Sequence, residues 1–174
     1  MSLYLKNIDT VDKERVLDYI SELVLYGSER DGLWYEDSPS YEDMLANLKR
    51  HEKIRFIKYE QDEVPNFQYL LIRSEDDKMV GAVSVRPYLT KSLDESFGGN
   101  IGYSIRPTER RKGYAKVALK LGIEKCREKN PGLDIIVCCY KDNIGSKKTI
   151  IDNGGVLIEE RQGTITYQKY KINV

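Results

Sequence analysis

GNIGYSIRPTERRKGYAKVALKLGIEKCRE, residues 99–128, decides the fold because its apolar pattern changes period in the middle. Ile101, Tyr103 and Ile105 alternate with small or polar residues, which predicts a strand that ends at Pro107. Beyond Gly113, apolar or small residues recur every three or four positions, which predicts one face of a long helix. They are Ala115, Ala118, Leu119, Gly122 and Cys126. The stretch therefore predicts a strand, a polar turn and a helix.

The turn between this strand and this helix combines three features that suit a phosphate group. Arg110, Arg111 and Lys112 are basic, Gly113 permits close approach to the backbone, and a helix start exposes unpaired N–H groups. The spacing fits neither a Walker A loop nor a Gly-x-Gly-x-x-Gly loop. Basic residues at a helix start also occur on solvated surfaces, so the turn alone leaves both interpretations open.

Length and charge limit the class of protein. A chain of 174 residues is long enough for one domain with a real core, and we expect a single domain over residues 1–174. The 28 basic and 28 acidic residues cancel, so overall charge favours neither nucleic acid nor a membrane surface. The longest apolar runs are too short to span a bilayer. Any anion site must therefore be local.

The cysteines and the histidine argue against a metal site. Cys126, Cys138 and Cys139 are embedded in apolar segments, which fits buried small residues in a reducing cytoplasm. Zinc would need more ligands, and the single histidine, His51, is far away among charges. The first residues contain no apolar signal segment. We therefore expect a cytoplasmic protein without a bound metal.

The rest of the chain predicts alternating helices and strands in the order β-α-α-β-β-β-α-β-α-β-β. Thr10 is a plausible N-cap for a helix over residues 11–25, and Ser40 for the next helix. Residues 133–140 are almost continuously apolar, as in a strand covered on both faces. We expect this strand to lie parallel and adjacent to the one before the central helix, after a right-handed crossover.

The loop at residues 27–39 contains the only tryptophan and has two interpretations. Either Trp34 and Tyr35 pin the loop to the core, or the loop covers a substrate pocket. In the second case its acidic residues would favour a cationic substrate. They are Glu29, Asp31, Glu36 and Asp37.

Two motifs resemble those of a known family. Arg110-x-x-Gly113-x-Ala115 resembles the acetyl-CoA loop of the GNAT N-acetyltransferases, whose pattern is [Arg/Gln]-x-x-Gly-x-[Gly/Ala]. Asn143-x-x-Ser146, with a glycine following the helix, is similar to the second motif of that family. The stretch from Gly98 to Arg110 also resembles a branch of predicted acetyltransferases with the pattern Gly-Gly-x-Ile-Gly-Tyr-Ser-x-Arg-Pro-x-Glu-Arg. The element order agrees over almost the whole chain.

The resemblance implies a fold and a reaction. The fold would be the α/β (in some schemes α+β) acyl-CoA N-acyltransferase fold, with a mixed central sheet of about seven strands and about four helices. The reaction would transfer an acetyl group from acetyl-CoA, as cosubstrate, directly to a primary amine of a small molecule or a peptide. Such domains often form homodimers through their last strands, which leaves the oligomeric state open.

The resemblance also implies roles for individual residues. The backbone of Ser104 and Ile105 would bond to the pantetheine arm, and the Ile105 N–H would polarise the thioester carbonyl as an oxyanion contact. Asn143 would contact pantetheine, with Ser146 beside it. Further residues would bind the pyrophosphate through backbone N–H groups or basic side chains. They are Arg110, Arg111, Lys112, Gly113, Tyr114, Ala115 and Lys116.

Three positions depart from the family pattern. The usual tyrosine acid is replaced by Ile150, the usual acidic residue before the strand by Asn100, and Gly-Phe by Gly154-Gly155. The missing proton-transfer groups leave several replacements open. They are Tyr140 at the end of an inner strand, Tyr88, Glu95, and solvent alone.

These gaps keep other functions open. A non-catalytic acyl-CoA-binding or sensor module would need no acid or base. A nucleic-acid binder would use the basic residues from Arg106 to Lys120, but Glu109, Glu124 and Glu128 interrupt them. The leading hypothesis is an acetyl-CoA-dependent N-acetyltransferase that binds no nucleic acid and no membrane.

Overall fold

The computed structural model describes most of the chain. The described ranges are 2–29, 31–33, 40–53, 63–95 and 98–173. Four residues to which the sequence assigns a role in the loop at 27–39, namely Trp34, Tyr35, Glu36 and Asp37, lie outside them. Glu29 and Asp31, from the same loop, lie inside.

Strands and helices alternate as the sequence predicts. The strands of the described residues are β1 (Leu3–Asn7), β2 (Phe67–Arg73), β3 (Lys78–Val85), β4 (Ile101–Ile105), β5 (Ile135–Tyr140), β6 (Gly155–Arg161) and β7 (Tyr167–Ile172). The α-helices are α1 (Lys13–Leu25), α2 (Tyr41–Glu52), α3 (Lys91–Glu95), α4 (Tyr114–Lys129) and α5 (Ile144–Ile151). The α/β class and the seven strands are confirmed. The fifth helix is α3, a short helix in a segment predicted as loop.

The sheet differs from the predicted single mixed sheet. Four strands form one antiparallel sheet in the order β1-β2-β3-β4, and three form another in the order β5-β7-β6. The predicted single sheet is interrupted between β4 and β5, which are neighbours but do not form a ladder with each other. This boundary positions the candidate site.

Helix starts follow local capping chemistry, with one correction. Ser40 caps α2 as predicted, since its Oγ accepts from the Asp43 N–H at 3.1 Å. Thr10 does not cap α1, because residues 8–10 form a 3-10 turn and Asp12 is the N-cap. The hydroxyl of Thr10 instead donates to the carbonyl oxygen of Asn7 at 2.7 Å.

The core has two halves, one on each face of the first sheet. On one face, Val83 and Ile105 pack with Leu119 of α4 and Ile150 of α5. On the other face lie the apolar stripes of α1 and α2, with Tyr19 fully buried.

Among the helices that the structure describes, none has the length and apolar character needed to cross a membrane.

Candidate active site

The two sheets are joined at Asn100, just before β4 begins. Its backbone N–H donates to the carbonyl oxygen of Ile136, and its Oδ1 accepts from the Ile136 N–H, both at 2.7 Å. Its Nδ2 donates to the carbonyl oxygen of Arg86 at 2.9 Å. Both strands lead away from this junction in one direction, since Tyr103 of β4 reaches Ser146 just beyond the end of β5, but no ladder pairs the two strands there. A gap therefore opens between β4 and β5.

The register of β4 decides which of its peptide groups face the gap. The Arg106 N–H donates to the carbonyl oxygen of Val80, so even-numbered residues of β4 direct their peptide groups toward β3. Odd-numbered residues, including Tyr103 and Ile105, therefore direct theirs toward the gap. The N–H of Ile105 therefore points into the gap, as its predicted hydrogen bond to a thioester carbonyl requires.

Ser104 does not face the gap. Its peptide groups belong to the side of β4 that pairs with β3, where it lies opposite Ala82. Its buried Oγ lies 2.8 Å from the hydroxyl oxygen of Tyr19 on α1. The register thus directs the peptide groups of Ser104 away from the gap, because consecutive residues of a strand point their peptide groups to opposite neighbours.

The opposite wall of the gap is β5. The bonds of Ile136 to Asn100 show that even-numbered residues of β5 direct their peptide groups toward β4. Odd-numbered residues direct their peptide groups toward β7. The bond just beyond the two strands shows this, since the Lys141 N–H donates to the carbonyl oxygen of Thr166 at 2.9 Å. The peptide groups of Cys138 therefore face the gap, opposite those of β4. Backbone polar groups line both walls, which suits an extended ligand with amide groups of its own.

The loop after β4 is anchored by Glu109. Its carboxylate, whose side chain is 5% exposed, accepts from Arg73 at 2.9 Å, Lys78 at 2.8 Å and Lys112 at 2.7 Å. Burial acts to raise the pKa of Glu109, but the three cations outweigh it and lower the pKa to about 2. The carboxylate therefore stays charged and fixes the base of the loop.

The loop itself contains two residues with left-handed backbone, Arg111 with φ 65° and Gly113 with φ 82°. Left-handed residues within a turn can direct successive N–H groups into one concavity that binds anions. A non-glycine residue in this conformation is uncommon, which makes Arg111 notable. Helix α4 starts immediately afterwards at Tyr114 and adds the positive end of its dipole. The predicted pyrophosphate loop therefore has a suitable backbone.

Two of the predicted phosphate-binding side chains are engaged within the protein. The Arg110 Nε donates to the carbonyl oxygen of Ile105 at 3.2 Å, and its Nη2 donates to the Ser28 Oγ at 2.8 Å. Lys112 is paired with Glu109 at 2.7 Å. These side chains hold the loop against β4, α1 and its own base.

The remaining residues of the predicted loop differ in their contacts and in their exposure to solvent. Within the described ranges, no hydrogen bond or ion pair is found for the exposed Arg111 side chain, whereas Lys116 lies 3.7 Å from the carboxylate of Asp152. Tyr114 is buried, and its hydroxyl accepts from Arg73 at 3.1 Å. Ala115 packs partly buried against the core. Arg111 is thus the side chain best placed to pair with a phosphate.

The start of α5 lies at the far end of the gap. The Asn143 Oδ1 caps α5 by accepting from the Ser146 N–H at 3.0 Å. The Ser146 Oγ lies 2.8 Å from the hydroxyl oxygen of Tyr103, so this ring connects β4 to α5. Sequence reasoning identified Asn143 and Ser146 as candidates but missed Tyr103, which the pattern marks only as an ordinary strand residue.

The departures from the family pattern have structural roles. Asn100 is 1% exposed and uses its amide to join β4, β5 and the end of β3. Ile150 is fully buried in the core, and a Cβ placed on Gly155 would lie 2.4 Å from its Cγ2. Ile150 and Gly155 are therefore complementary, and neither Asn100 nor Ile150 can transfer a proton.

The face of the gap opposite α4 and α5 carries acidic residues. Gly32 lies tight against β3 and β4, since a Cβ there would be 2.6 Å from the Ala82 carbonyl oxygen and 2.8 Å from the Tyr103 Cα. This contact sets Asp31 over the sheet. Although Asp31 reaches solvent, its protein surroundings raise its pKa by desolvation, and Glu29 raises it further while Arg86 opposes the effect.

Tyr140 belongs to this acidic face. It lies on the side of β5 opposite the buried Val137 and Cys139. Burial raises the pKa of its phenol, and the charges of Glu29 and Asp31 raise it further. The phenol therefore stays protonated at neutral pH. Of the other replacements that the sequence suggested, Glu95 is exposed and lies 3.6 Å from Lys91, and Tyr88 is half-buried before α3.

The three cysteines are poorly suited to nucleophilic chemistry. Cys126 and Cys139 are buried and Cys138 is half-buried, and all three thiols are free. Burial raises the pKa of Cys138 to about 12, so its nucleophilic thiolate is scarce. Within the described ranges, no group of three or more histidine, cysteine or acidic residues could hold a metal ion.

Two sheets that separate beyond Asn100, with a left-handed loop at the start of α4, form an α/β fold of the acyltransferase type. The chain matches the family described as acetyltransferase (GNAT) domain over residues 9–156. It therefore belongs to the GNAT acetyltransferase family. The narrower branch suggested by Gly98 to Arg110 stays a prediction.

Solved acetyltransferase structures share the fold. A ribosomal-protein-S5-alanine acetyltransferase from Vibrio fischeri is 16% identical with a TM-score of 0.67, covering 99% of this chain and 94% of its own. An acetyltransferase from Salmonella typhimurium that modifies the N-terminal serine of ribosomal protein L7/L12 is 13% identical with a TM-score of 0.65, covering 100% and 96%. The proposed acetyltransferase yncA from Salmonella typhimurium, solved with acetyl-CoA, is 11% identical with a TM-score of 0.62, covering 99% and 94%.

At these identities, the similarity to solved structures concerns the fold alone. Among curated proteins, no sequence matches the chain significantly. Substrate and site residues must therefore be argued from the geometry of this chain.

Proposed function

We propose that the protein transfers an acetyl group from acetyl-CoA to a primary amine. The observation that carries this proposal is the gap between β4 and β5, which leads to the left-handed loop at the start of α4. Pantetheine would add to the gap like a strand, and the pyrophosphate would lie on the N–H groups of residues 111–116. The acetyl-CoA bound to yncA, a relative of the same fold, supports this cosubstrate.

The residues of the gap would perform the transfer as follows. The Ile105 N–H would donate to the thioester carbonyl oxygen and stabilise the negative charge that develops there. Asn143 would contact pantetheine with the amide N–H groups that its helix cap leaves available, and Arg111 would pair with a phosphate. The amine would attack the carbonyl carbon directly, and the C–S bond would then break. The raised thiol pKa of Cys138 supports this direct route over a covalent cysteine intermediate.

The acceptor would approach from the acidic face. Glu29 and Asp31 lie close enough to Tyr140 to raise the pKa of its phenol, which groups the three side chains at one mouth of the gap. Their negative charge favours an acceptor that arrives as a protonated amine, and Asp31 is suited to take its proton. Two relatives of the same fold act on ribosomal proteins, so a peptide N-terminus is a candidate beside a small-molecule amine.

The alternative is a non-catalytic acyl-CoA-binding or sensor module. The structural roles of Asn100 and Ile150 favour it, because the two usual proton-transfer positions are occupied by groups that cannot act. This alternative needs the gap and the loop but leaves the acidic face without a chemical role.

The partners and the setting stay proposals as well. A nucleic-acid partner is disfavoured because Arg106 is buried between Asp18 and Glu22, each at 2.8 Å. A homodimer is favoured by the edge strand β6, which exposes Val156 and Ile158. We also propose one domain over residues 1–174, located in the cytoplasm.

The test combines a binding measurement with a turnover measurement. Titration calorimetry with acetyl-CoA should give saturable binding, and a panel of peptides and small amines should release free CoA at rates above hydrolysis. Binding without turnover on any amine supports the sensor module. An absence of binding contradicts both.

A further inference from the structure

Two phenols flank the gap, one on each face. Tyr140 lies on the acidic face with Glu29 and Asp31. Tyr103 lies on the other face, because its side chain packs with the core under α4 and its hydroxyl meets α5 at Ser146. The anion-binding loop and Asn143 belong to this second face. The two phenols therefore lie on opposite faces of the gap, one on the proposed side of acetyl-CoA and the other on the proposed side of the amine.

The surroundings of Tyr103 fit a fixed hydrogen-bond donor. Its hydroxyl lies 2.8 Å from the Ser146 Oγ and 3.4 Å from the Ser146 carbonyl oxygen. Burial raises its pKa to about 12, with Cys139 and Asp31 adding to the shift while Ser146 and Thr149 oppose it. The phenol therefore keeps its proton at neutral pH. Its own peptide groups face the gap two residues from Ile105, about 7 Å along the strand.

We propose that Tyr103 donates a hydrogen bond to the sulfur of the acyl thioester as the thiol leaves, the role for which position 150 has no suitable side chain. The assignment rests on the proposed function, because it requires acetyl-CoA in the gap with its carbonyl at the Ile105 N–H. Ser146 would then donate to the Tyr103 oxygen, since a hydroxyl group can accept and donate at once. Tyr103 would be a catalytic residue, and Ser146 the residue that positions it.

The chemical step balances without an added reagent. The amine nitrogen forms a bond to the carbonyl carbon, and the C–S bond breaks with its electron pair on sulfur. The amine gives its first proton to Asp31 before it attacks, and the ammonium proton of the adduct leaves to water. The Tyr103 O–H stabilises the thiolate without giving up its proton, because a thiol with a pKa near 8.5 is a stronger acid than this phenol. The thiolate takes its final proton from water.

The test is a comparison of two ligands that needs no acceptor. Calorimetry would measure the affinity for coenzyme A and for desulfo-coenzyme A, in which hydrogen replaces the thiol, at about pH 8, near the pKa of a thiol. The wild-type protein should prefer coenzyme A by about tenfold, the size of one hydrogen bond to a charged group. Tyr103→Phe should abolish this preference and leave the affinity for the desulfo ligand within about twofold. Tyr140→Phe is the matched control and should keep the preference.

The outcomes separate this assignment from the proposed function. A Tyr103→Phe protein that keeps the preference overturns the assignment, and so does a Tyr140→Phe protein that loses it. An equal loss of affinity for both ligands in Tyr103→Phe means a purely structural role and also overturns it. If Tyr103→Phe does not fold, Ser146→Ala decides, and an unchanged preference contradicts the inference. Absence of binding by wild type contradicts the proposed function itself.

Discussion

The two faces of the β4–β5 gap are built on different principles. On the side of α4 and α5, backbone groups dominate, with left-handed residues at Arg111 and Gly113 and a capped helix at Asn143. On the opposite side, side chains dominate, with Glu29, Asp31 and Tyr140 brought together from distant parts of the chain. A backbone site tolerates many sequences and accepts one constant ligand. A side-chain site is specific to its ligand, so we propose that the acceptor is selected on this face.

The largest expected effect comes from placing a charge on the backbone face. Gly113→Asp sets a carboxylate beside the proposed pyrophosphate, and no atom within 4 Å of the new Cβ opposes it. Like charges in contact cost several kcal/mol, so the affinity for acetyl-CoA should fall by at least about a hundredfold. Calorimetry measures the change.

Gly113→Asn is the matched control for this substitution. Asparagine has nearly the same shape and tolerates left-handed backbone, but it is uncharged. It should retain most of the affinity. An unchanged affinity in Gly113→Asp would falsify the assignment of the loop to a phosphate group.

The next effect concerns the junction that opens the gap. Asn100→Asp replaces the Nδ2 donor to the Arg86 carbonyl with an oxygen and buries a carboxylate, without creating a usable base. The free energy of unfolding should fall by at least about 3 kcal/mol, because a buried unsatisfied neutral group costs about 1–3 kcal/mol and a charged one costs more. Urea denaturation measures it.

Asn130→Ala is the control for the junction, because Asn130 makes a similar bond to the carbonyl oxygen of Pro87 at 2.9 Å, away from the gap. Its loss should cost less than Asn100→Asp and leave acetyl-CoA binding unchanged. Equal costs for the two variants would mean that the Asn100 side chain makes an ordinary hydrogen bond and does not hold the two sheets together.

The acidic face should affect turnover but not cosubstrate binding. Asp31→Asn should lower kcat/KM for the best amine of the panel by about tenfold, since it removes one charge that attracts the ammonium group. Asp31 can accept a proton only in its deprotonated form, and its surroundings raise its pKa. Wild-type activity should therefore fall as the pH drops through that raised pKa. The variant should lack this decline.

Glu29→Gln provides the comparison for Asp31, because no close contact of Glu29 with the sheet is seen among the described residues. Its effect on kcat/KM should be smaller. A loss of acetyl-CoA affinity in Asp31→Asn would contradict the division of the gap into two faces.

The last effect concerns the stability of the anchor behind the backbone face and not ligand binding or turnover. Glu109 has a folded-state pKa lowered to about 2, so its stabilising contribution is present above its ordinary pKa and is lost as the pH falls through about 2. Glu109→Gln should reduce stability at neutral pH by about 1.5–3 kcal/mol, the range for hydrogen bonds to a charged group. The stabilities of wild type and variant should begin to converge below about pH 4, near the ordinary glutamate pKa, and should coincide only below about pH 2. Parallel stability curves down to that pH would contradict the anchor.

The backbone face could be predicted from the sequence because its signals are local. The change of period around Pro107, the glycine at position 113 and the Asn143-x-x-Ser146 spacing each report on neighbouring residues. The family match over residues 9–156 confirms the class that these signals indicated. The split between the two sheets could not be predicted, because it depends on the Asn100 amide bonding to Ile136, a contact between distant segments.

Register and pairing explain the other differences. Ser104 and Ile105 are equivalent in a motif, but the strand alternation gives the gap to Ile105 alone. Arg110 and Lys112 looked like ligands by charge, but Ser28 and Glu109 engage them. Tyr103 gave no local signal, since its partner Ser146 lies 43 residues away. Such contacts arise only when the chain is folded.

The central claim is that the gap binds acetyl-CoA along the edge of β4. Amide hydrogen exchange followed residue by residue with NMR tests it directly, with and without acetyl-CoA. The Ile105 amide should gain protection when acetyl-CoA is added and the Ser104 amide should not, because of these two N–H groups only that of Ile105 faces the gap. Saturable binding with no change in protection at Ile105 would contradict the account.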